Sequence, residues 1–415
     1  MIEMEHFINE LEKQYDSFKE KSLINRRFKH KDILPLIEKL GKQPLFEVSE
    51  LGKSIEGREI FLIKAGTGKL KVLLWSQMHG NEPTATAALF DIFNFLTSEA
   101  HFAKEKTLIF EEITLYFVPM VNPDGAQVFK RRNALDIDLN RDAARLEATE
   151  TKILKKLRDD IKPDFGFNLH DQDCYYTAGA TSKPATISFL TPSFNTEKDI
   201  DHGRRASMEQ IVMMNQVLQK YIPGQIGRYS DDFMPTAFGD SMQKWGTSII
   251  LIESGGYKND PEKQVVRKMN FLAILASLYG LSIGNPDEMY YMDYFKIPEN
   301  KKEKLFDLLI RNATIKKNGQ NFIIDLGIRR KEIENPDYSG FTYQSEIFDI
   351  GDLGNYFGYD EIDASGLIIQ SADSNLLMGF KADFKLVDAA DKLRYKIVNG
   401  FMEEEMEIVW KLDSL

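Results

Sequence analysis

The sequence predicts an α/β fold, with a mixed twisted sheet flanked by helices and followed by a smaller C-terminal all-β domain. Two observations support this prediction. Short apolar runs with the length of buried strands alternate with helically spaced segments up to about residue 280. After residue 312, short β-like runs are instead separated by Gly, Asp and Asn. We therefore expect an α/β domain at 1–285, a connecting helix at 286–311 and a β-rich domain at 312–415.

The elements of the α/β region can be placed in chain order. Residues 4–40 mix apolar and charged positions at helical spacing and predict two amphipathic helices. Apolar runs predict strands at 46–48, 60–63, 72–75, 113–118, 164–169, 187–190 and 247–252. Helical spacing predicts further helices at 83–103, 149–160, 199–221 and 261–279.

Composition excludes several classes of function. The hydrophobic content of 43% and charged content of 28% are typical of a globular protein. A net charge of −11 argues against a general affinity for nucleic acid or anionic lipid. No run approaches the ~18 apolar residues of a membrane span. A homo-oligomer is compatible with all of this.

The cysteine content and the N-terminus bear on the compartment. The single cysteine, Cys174, cannot form a disulfide within the chain. The N-terminus has acidic residues where a secretory signal carries positive charge, and it lacks an apolar core. We expect a cytoplasmic protein, or a secreted or periplasmic one if a leader has been removed.

The first candidate site follows the strand at 72–75, where the chain reads His79-Gly80-Asn81-Glu82. An imidazole and a carboxylate three residues apart suit two ligands of one Zn²⁺, which accepts nitrogen and oxygen donors. The turn between a strand and a helix is also where open α/β sheets place their ligands. The alternative is structural, since an acid near a helix start is favourable on dipole grounds alone.

Further candidates lie at later strand ends and in one loop. His170 follows the strand at 164–169, and Glu253 follows the run at 247–252. A carboxylate directly after an apolar strand is poorly solvated, so its pKa is expected to rise into the range useful for a base. The stretch from residue 128 to 145 is a predicted loop rich in arginine within an acidic chain. Each arginine taken alone is better explained as part of a solvated, salt-bridged surface loop.

The order of these motifs resembles a known family. H-x-x-E is followed by N-P-D-G with arginines and D-L-N-R, then by a lone histidine and a glutamate after strands. This pattern is similar to the zinc metallocarboxypeptidases related to carboxypeptidase A, in a divergent bacterial-type branch. The resemblance covers roughly residues 30–280 and implies a carboxypeptidase-like fold.

The resemblance also implies roles for individual residues. It places the ligands of one Zn²⁺ per chain at His79, Glu82 and His170. It places the catalytic glutamate at Glu253 and the arginine that polarises the scissile carbonyl at Arg131, with Arg132 as the alternative. It places the pair that binds the terminal carboxylate of the substrate at Asn140 and Arg141.

Three positions depart from the family pattern. Asp171 stands where the family usually has Ser or Thr, and it could orient His170 or a neighbouring group. The mobile tyrosine of the family has two candidates, of which Tyr229 is preferred over Tyr257. The pocket for the terminal side chain is expected among Phe238, Gly239 and Asp240. Asp240 would favour a basic terminal residue there, unless it only caps its loop.

The leading functional hypothesis is a zinc carboxypeptidase that removes the C-terminal residue of a peptide through a metal-activated water. The main alternative is a zinc amidase or deacylase acting on a small acyl-amino-acid substrate, similar to succinylglutamate desuccinylase or aspartoacylase. The N-P-D-G turn and the pair Asn140-Arg141 favour the peptidase. A third reading is a non-catalytic metal- or peptide-binding module, against which the presence of Glu253 argues.

Overall fold

The computed structural model describes residues 2–99, 102–284, 290–371 and 376–403. The chain divides into two compact units. The first contains residues 1–179 and 183–300, and the second contains residues 180–182 and 301–415. The predicted boundary between residues 285 and 286 lies outside the described residues.

The strands of the first unit form a mixed sheet. In chain order they are β1 (Glu47–Lys53), β2 (Glu59–Ala65), β3 (Leu70–Ser76), β4 (Ile113–Val118), β5 (Phe165–Asp171), β6 (Thr177–Ala178), β7 (Ile187–Leu190), β8 (Ile226–Arg228) and β9 (Ser248–Ser254). Among the described residues, eight of them form one sheet in the order β1-β2-β4-β3-β5-β9-β7-β8. Its centre, β4-β3-β5-β9, is parallel, whereas β1, β2 and β7 introduce antiparallel pairs.

Helices cover this sheet. They are α1 (Ile2–Phe18), α2 (His30–Gly41), α3 (Thr84–Thr97), α4 (Ala103–Glu112), α5 (Pro123–Gln127), α6 (Thr149–Ile161), α7 (His202–Leu218), α8 (Phe238–Lys244) and α9 (Gln264–Ser282). Short 3₁₀ turns add Leu139–Arg141 and Tyr291–Lys296. No helix in the described parts of the chain has the length and apolar character needed to cross a membrane.

The central strand β3 shows why the sheet reads as apolar on both faces. Val72 and Leu74 pack into a large core shared with α1, α2, α3, α7 and α9. Leu73 and Trp75 point the other way, into a second core with α6 and α8. Because both faces are covered, the strand has a continuous apolar sequence instead of an alternating one. The predicted α/β fold with helices flanking a mixed sheet is therefore confirmed.

One helix prediction was wrong. The segment 83–103 was expected to be continuous, but α3 ends at Thr97 and a separate α4 begins at Ala103. Ser98 has an extended backbone, and Phe102 adopts a left-handed conformation with φ of 62°. Neither backbone conformation continues a helix. The helical spacing of apolar residues before Ser98 therefore does not indicate where the helix ends.

The second unit is an all-β region, as predicted. Its strands are β10 (Asn300–Lys301, at the division between the units), β11 (Leu305–Lys317), β12 (Gln320–Glu334), β13 (Phe341–Gly351), β14 (Phe357–Asp363), β15 (Ile368–Gln370), β16 (Phe384–Val387), β17 (Leu393–Val398) and β18 (Phe401–Met402). Within the described ranges, β11 to β18 form one eight-stranded sheet, in which β11, β12 and β13 are antiparallel neighbours and β14 pairs in parallel with β11.

The connecting helix predicted over 286–311 is wrong for the described residues 290–311. A 3₁₀ turn occupies Tyr291–Lys296, and β11 begins at Leu305. Residues 305–310 are mostly apolar and do not alternate with polar residues, as a half-buried strand would. The reason is that both faces of this strand are buried. Leu308 and Ile310 belong to one apolar cluster, whereas Phe306 and Leu309 belong to another.

Candidate active site

The carboxyl ends of three neighbouring parallel strands carry the predicted catalytic residues. His79 and Glu82 lie in the turn between β3 and α3, His170 lies near the end of β5, and Glu253 lies near the end of β9. His170 and Glu253 are direct partners in the parallel register of β5 and β9. Because parallel strands end at the same edge of a sheet, residues distant in sequence meet there.

A group of three side chains at this edge could hold a metal ion. One ligand atom from each of His79, Glu82 and His170 lies within 4.8 Å of the others. His79 Nδ1 lies 2.8 Å from Glu82 Oε1, and His170 Nδ1 lies 2.8 Å from Glu82 Oε2. All three side chains are buried, with 1%, 6% and 2% of their surfaces exposed. The structure therefore brings the three predicted ligands together.

The donor set fits zinc. Two imidazole nitrogens and a carboxylate are the ligands of a catalytic His₂Glu site, which leaves one coordination position for water or substrate. The second nitrogen of His79, Nε2, lies 3.1 Å from Asp138 Oδ1. A carboxylate in that position fixes the ring orientation and makes the facing nitrogen a better ligand. The sequence analysis did not single out Asp138, although it is the first residue of D-L-N-R.

The turn that carries His79 depends on close backbone packing. A Cβ atom added at Gly80 would lie 2.0 Å from the backbone carbon of Gly125, in the N-P-D-G turn. Gln77, which begins the turn, has a left-handed backbone with φ of 51°, and its side-chain amide donates to the Gly80 carbonyl at 2.9 Å. The glycines of the two motifs therefore let the two turns touch.

The charges in the site shift the pKa values of its members. Burial lowers the pKa of His79, but the carboxylates of Glu82 and Asp138 outweigh burial and raise it overall. For His170, burial dominates and the pKa is lowered. Burial also raises the pKa of the Glu82 carboxyl, but its contacts with the two imidazoles hold that pKa well below the ordinary value.

Glu253 has the opposite shift. Burial, followed by the negative charges of Glu82 and Asp171, raises its pKa well above the usual value for a glutamate. The nearby cations Arg131 and Lys263 oppose this rise without reversing it. A carboxylate whose proton affinity is raised in this way has the character of a general base.

The structure distinguishes the two candidate arginines next to the metal-ligating group. The Arg131 guanidinium donates to Glu82 Oε1 at 3.1 Å and to Asp138 Oδ2 at 3.0 Å, with 42% of its side chain exposed. Arg132 is exposed and donates to the Asp136 carbonyl within its own loop. Only Arg131 contacts the group, which favours it for the role at the scissile carbonyl.

The predicted carboxylate-binding pair lies beside α8. The side-chain oxygen of Asn140 accepts a hydrogen bond from the backbone N–H of Phe238, at the start of that helix. Arg141 is exposed, and its charge acts on Asp240, also in α8. Asp240 accepts a hydrogen bond from the backbone N–H of Met234, and burial raises its pKa to about 6. Its loop-capping contact is thus present, and its role in specificity stays a prediction.

Tyr229 lies near Glu253. Burial and the negative charge of Glu253 raise the pKa of its phenol, and its ring packs against Tyr176 at a centroid distance of 5.6 Å. Tyr257, the other candidate, packs on the main apolar core. The structure therefore favours Tyr229 as the tyrosine that could contact a bound substrate.

Asp171 does not contact the imidazole of His170. Its carboxylate accepts hydrogen bonds from the Thr84 hydroxyl at 2.5 Å and the Lys263 ammonium at 3.2 Å. Its backbone N–H donates to Glu82 Oε2 at 3.2 Å. Sequence reasoning did not identify Lys263, and no local motif marks it, since it lies at the start of α9.

The fold and the geometry of the site can now be compared with those of known proteins. Residues 35–184, which include the three candidate metal ligands, match the zinc carboxypeptidase family model. Carboxypeptidase 2 of Trichophyton tonsurans is 28% identical over 174 residues, which are 41% of this chain and 30% of that protein. Carboxypeptidase SOL1 of Arabidopsis thaliana is 30% identical over 98 residues, which are 22% and 20% of the two chains. The chain thus spans less than a third of the length of these relatives.

Solved structures show the same fold. A metallo-carboxypeptidase from Burkholderia cenocepacia aligns with a TM-score of 0.50 at 17% identity, over 61% of this chain and 69% of that one. Thrombin activatable fibrinolysis inhibitor aligns with a TM-score of 0.50 at 15% identity, over 66% and 81%. The match of residues 35–184 to the zinc carboxypeptidase family model confirms the resemblance predicted from the motifs.

Proposed function

We propose that this chain is a zinc-dependent metallocarboxypeptidase that hydrolyses the C-terminal peptide bond of peptides. The observation that carries the proposal is the convergence of His79, Glu82 and His170 within 4.8 Å, with Glu253 as the register partner of His170. One Zn²⁺ per chain would be held by these three ligands. Glu253 lies beyond the residues matched by the family model, so its role is inferred from its position and charge.

The zinc ion, when bound, lowers the pKa of a coordinated water toward ~7 and polarises the substrate carbonyl. Glu253 then takes the proton of the attacking water at its carboxylate and returns that proton to the nitrogen of the leaving amine. Its raised pKa favours the first transfer, since a stronger base holds the proton better.

Two sets of donors orient the substrate. Arg131, which contacts Glu82 at the edge of the site, donates to the scissile carbonyl oxygen as negative charge develops there. Asn140 and Arg141 bind the terminal carboxylate, for which the planar guanidinium of Arg141 is suited because it can donate two parallel hydrogen bonds. Binding of that carboxylate would place the last peptide bond, and no other, next to the zinc ion and Glu253.

The terminal side chain would lie against α8, near Asp240, and Tyr229 would cover the substrate from the side of Glu253. A buried carboxylate at Asp240 would favour a terminal residue that carries a positive charge. The same geometry also accommodates the related chemistry of an amidase acting on N-acyl amino acids, since those substrates end in a carboxylate as well.

The central test replaces Glu253 with glutamine, which keeps the size and removes the base. We expect kcat on short peptides to fall by about 10²–10⁴-fold, the usual contribution of a general base. Zinc content, measured on the purified protein, should stay at one ion per chain. Glu111→Gln, at an exposed position on α4, is the matched control and should retain full turnover.

The substrate panel separates the alternatives. Peptides with free and amidated C-termini and a set of N-acyl amino acids would be tested with and without chelator. Turnover of free-acid peptides that disappears with the chelator and returns with zinc supports the carboxypeptidase. Turnover of acyl amino acids alone would instead identify an amidase. Zinc and peptide binding without any hydrolysis would identify a binding module.

A further inference from the structure

Lys263 occupies an unfavourable position at the start of α9. It has a left-handed backbone with φ of 50°, a conformation that residues with a Cβ adopt at a cost. A positive charge at the N-terminus of a helix also opposes the helix dipole. A residue that is disfavoured on both counts is a candidate for a functional role of its side chain.

The Lys263 ammonium is largely buried and makes three hydrogen bonds. It donates to the carbonyl of Ser254 at 2.8 Å, to the carbonyl of Gln172 at 3.3 Å and to Asp171 Oδ2 at 3.2 Å, and only 11% of its side chain is exposed. Ser254 follows Glu253 on β9, Asp171 follows His170 at the end of β5, and Gln172 comes directly after that strand. One side chain thus links the ends of the two strands that carry a metal-ligating residue and the proposed base.

Asp171 extends this link to the third segment. Its carboxylate accepts from the Thr84 hydroxyl at the start of α3, and its backbone N–H donates to Glu82 Oε2. Glu82 lies two residues before Thr84, in the turn that also carries His79. The pair Lys263–Asp171 therefore contacts every chain segment that contributes to the metal-ligating group.

We propose that Lys263 is a positioning residue that acts through Asp171 to hold His170, Glu82 and Glu253 in the geometry that a metal ion requires. Lys263 donates to Asp171, Gln172 and Ser254, and through them it would fix the strand ends that carry His170 and Glu253. This inference rests on one part of the proposed function, namely that the bound metal ion is zinc. Residues that orient metal ligands in this way typically contribute 10–100-fold to metal affinity.

The test replaces Lys263 with methionine, which keeps the aliphatic stem and removes the ammonium. We expect the zinc dissociation constant of the folded protein, measured by competition with a chromogenic chelator, to rise about 10-fold or more. Lys268→Met is the matched control, because Lys268 lies on the same helix and is paired with Glu12 away from the site. Its zinc affinity should equal that of the parent.

A purely structural role gives a different result. If Lys263→Met lowers the melting temperature of the metal-free protein but binds zinc as tightly as Lys268→Met, the proposal is overturned. Should Lys263→Met not fold, Thr84→Val decides, since it removes only the hydrogen bond between α3 and Asp171. Weaker zinc binding by folded Thr84→Val supports the proposal, and unchanged binding overturns it.

These measurements do not depend on peptide turnover. A parent protein that binds zinc but hydrolyses no peptide would refute the proposed function. The zinc dissociation constants of the variants would still test the role of Lys263. Unchanged zinc affinity in the variants of a parent that does hydrolyse peptides would refute only the role of Lys263.

Discussion

The two sides of the candidate site are built in different ways. On the proposed metal-binding side, the buried residues His79 and Glu82 lie in the turn after β3, and the buried His170 lies near the end of β5. On the substrate side, Arg131, Arg132 and Arg141 are exposed and belong to one continuous loop at 128–145.

The loop is organised by its own short-range hydrogen bonds. The side chain of Asn133 accepts from the backbone N–H groups of Leu135 and Ile137, and Asp138 accepts from that of Asn140. Asp142 accepts from the backbone of Glu147 and Ala148, ahead of α6. Substitutions on the buried side should therefore affect metal binding and stability, whereas substitution of the exposed Arg141 should affect substrate binding alone.

The largest effect is expected on the buried side. His170→Ala removes one of three ligands, so zinc binding and peptide turnover should be lost. The parent should gain about 4 kcal/mol of unfolding free energy when free zinc exceeds its dissociation constant 1,000-fold. The variant should gain none, as measured by denaturant unfolding with and without zinc.

The exposed His202→Ala, at the start of α7, is the control for this experiment and should respond to zinc as the parent does. If His170→Ala keeps the full response to zinc, His170 is not a ligand, and the contrast between a buried metal-binding side and an exposed substrate side fails.

A smaller effect is expected within the loop. Arg141→Ala should lower kcat/KM on peptides with a free C-terminus roughly 30- to 150-fold, corresponding to about 2–3 kcal/mol for hydrogen bonds to a charged group. Turnover of C-terminally amidated peptides should change little, because they lack the group that Arg141 is proposed to bind. Zinc affinity and unfolding free energy should stay those of the parent.

Arg132→Ala is the matched control for Arg141→Ala, since both arginines are exposed in the same loop and Arg132 donates within it. It should leave both peptide classes unaffected. Equal losses for the two substitutions, or equal losses on both peptide classes, would mean that the loop acts through its net positive charge and not through a specific pair.

An effect no larger than this one is expected for Asp240 in α8. Its folded pKa of about 6 is above the ordinary 3.8, so the folded protein binds this proton more tightly than the unfolded chain does. The contribution of Asp240 to the unfolding free energy therefore rises as pH falls from about 7 to about 4, by roughly 2–3 kcal/mol. Asp240→Asn, neutral at all pH values, should lack this rise.

The measurement is urea unfolding of the zinc-free parent and variant between pH 7.5 and pH 4.5. Asp240→Asn should be more stable than the parent at pH 7.5, and the difference should shrink at pH 4.5. The exposed Asp16→Asn on α1 serves as the control and should show a constant difference from the parent. A constant difference for Asp240→Asn as well would show that the Asp240 carboxylate is solvated.

Much of the site could be predicted from the sequence because its residues follow strands whose apolar character is locally evident. His79, His170 and Glu253 each stand at the end of such a run. The contribution of Asp138 was missed because its contact with His79 spans 59 residues and follows no local pattern. Lys263 was missed for the same reason, since its contact with Asp171 spans 92 residues.

The sequence by itself determined where most of the long helices and buried strands of the α/β region form and which chemical groups follow the strands, since apolar periodicity is a local property. Only the tertiary structure decided that β3, β5 and β9 are neighbours, and hence that His170 and Glu253 join the turn of His79 and Glu82. The order of strands in a sheet depends on contacts between distant segments, whose free energy no short stretch of sequence encodes. The prediction of a helix where β11 begins was wrong for the same reason, because the burial of this strand on both faces depends on distant segments.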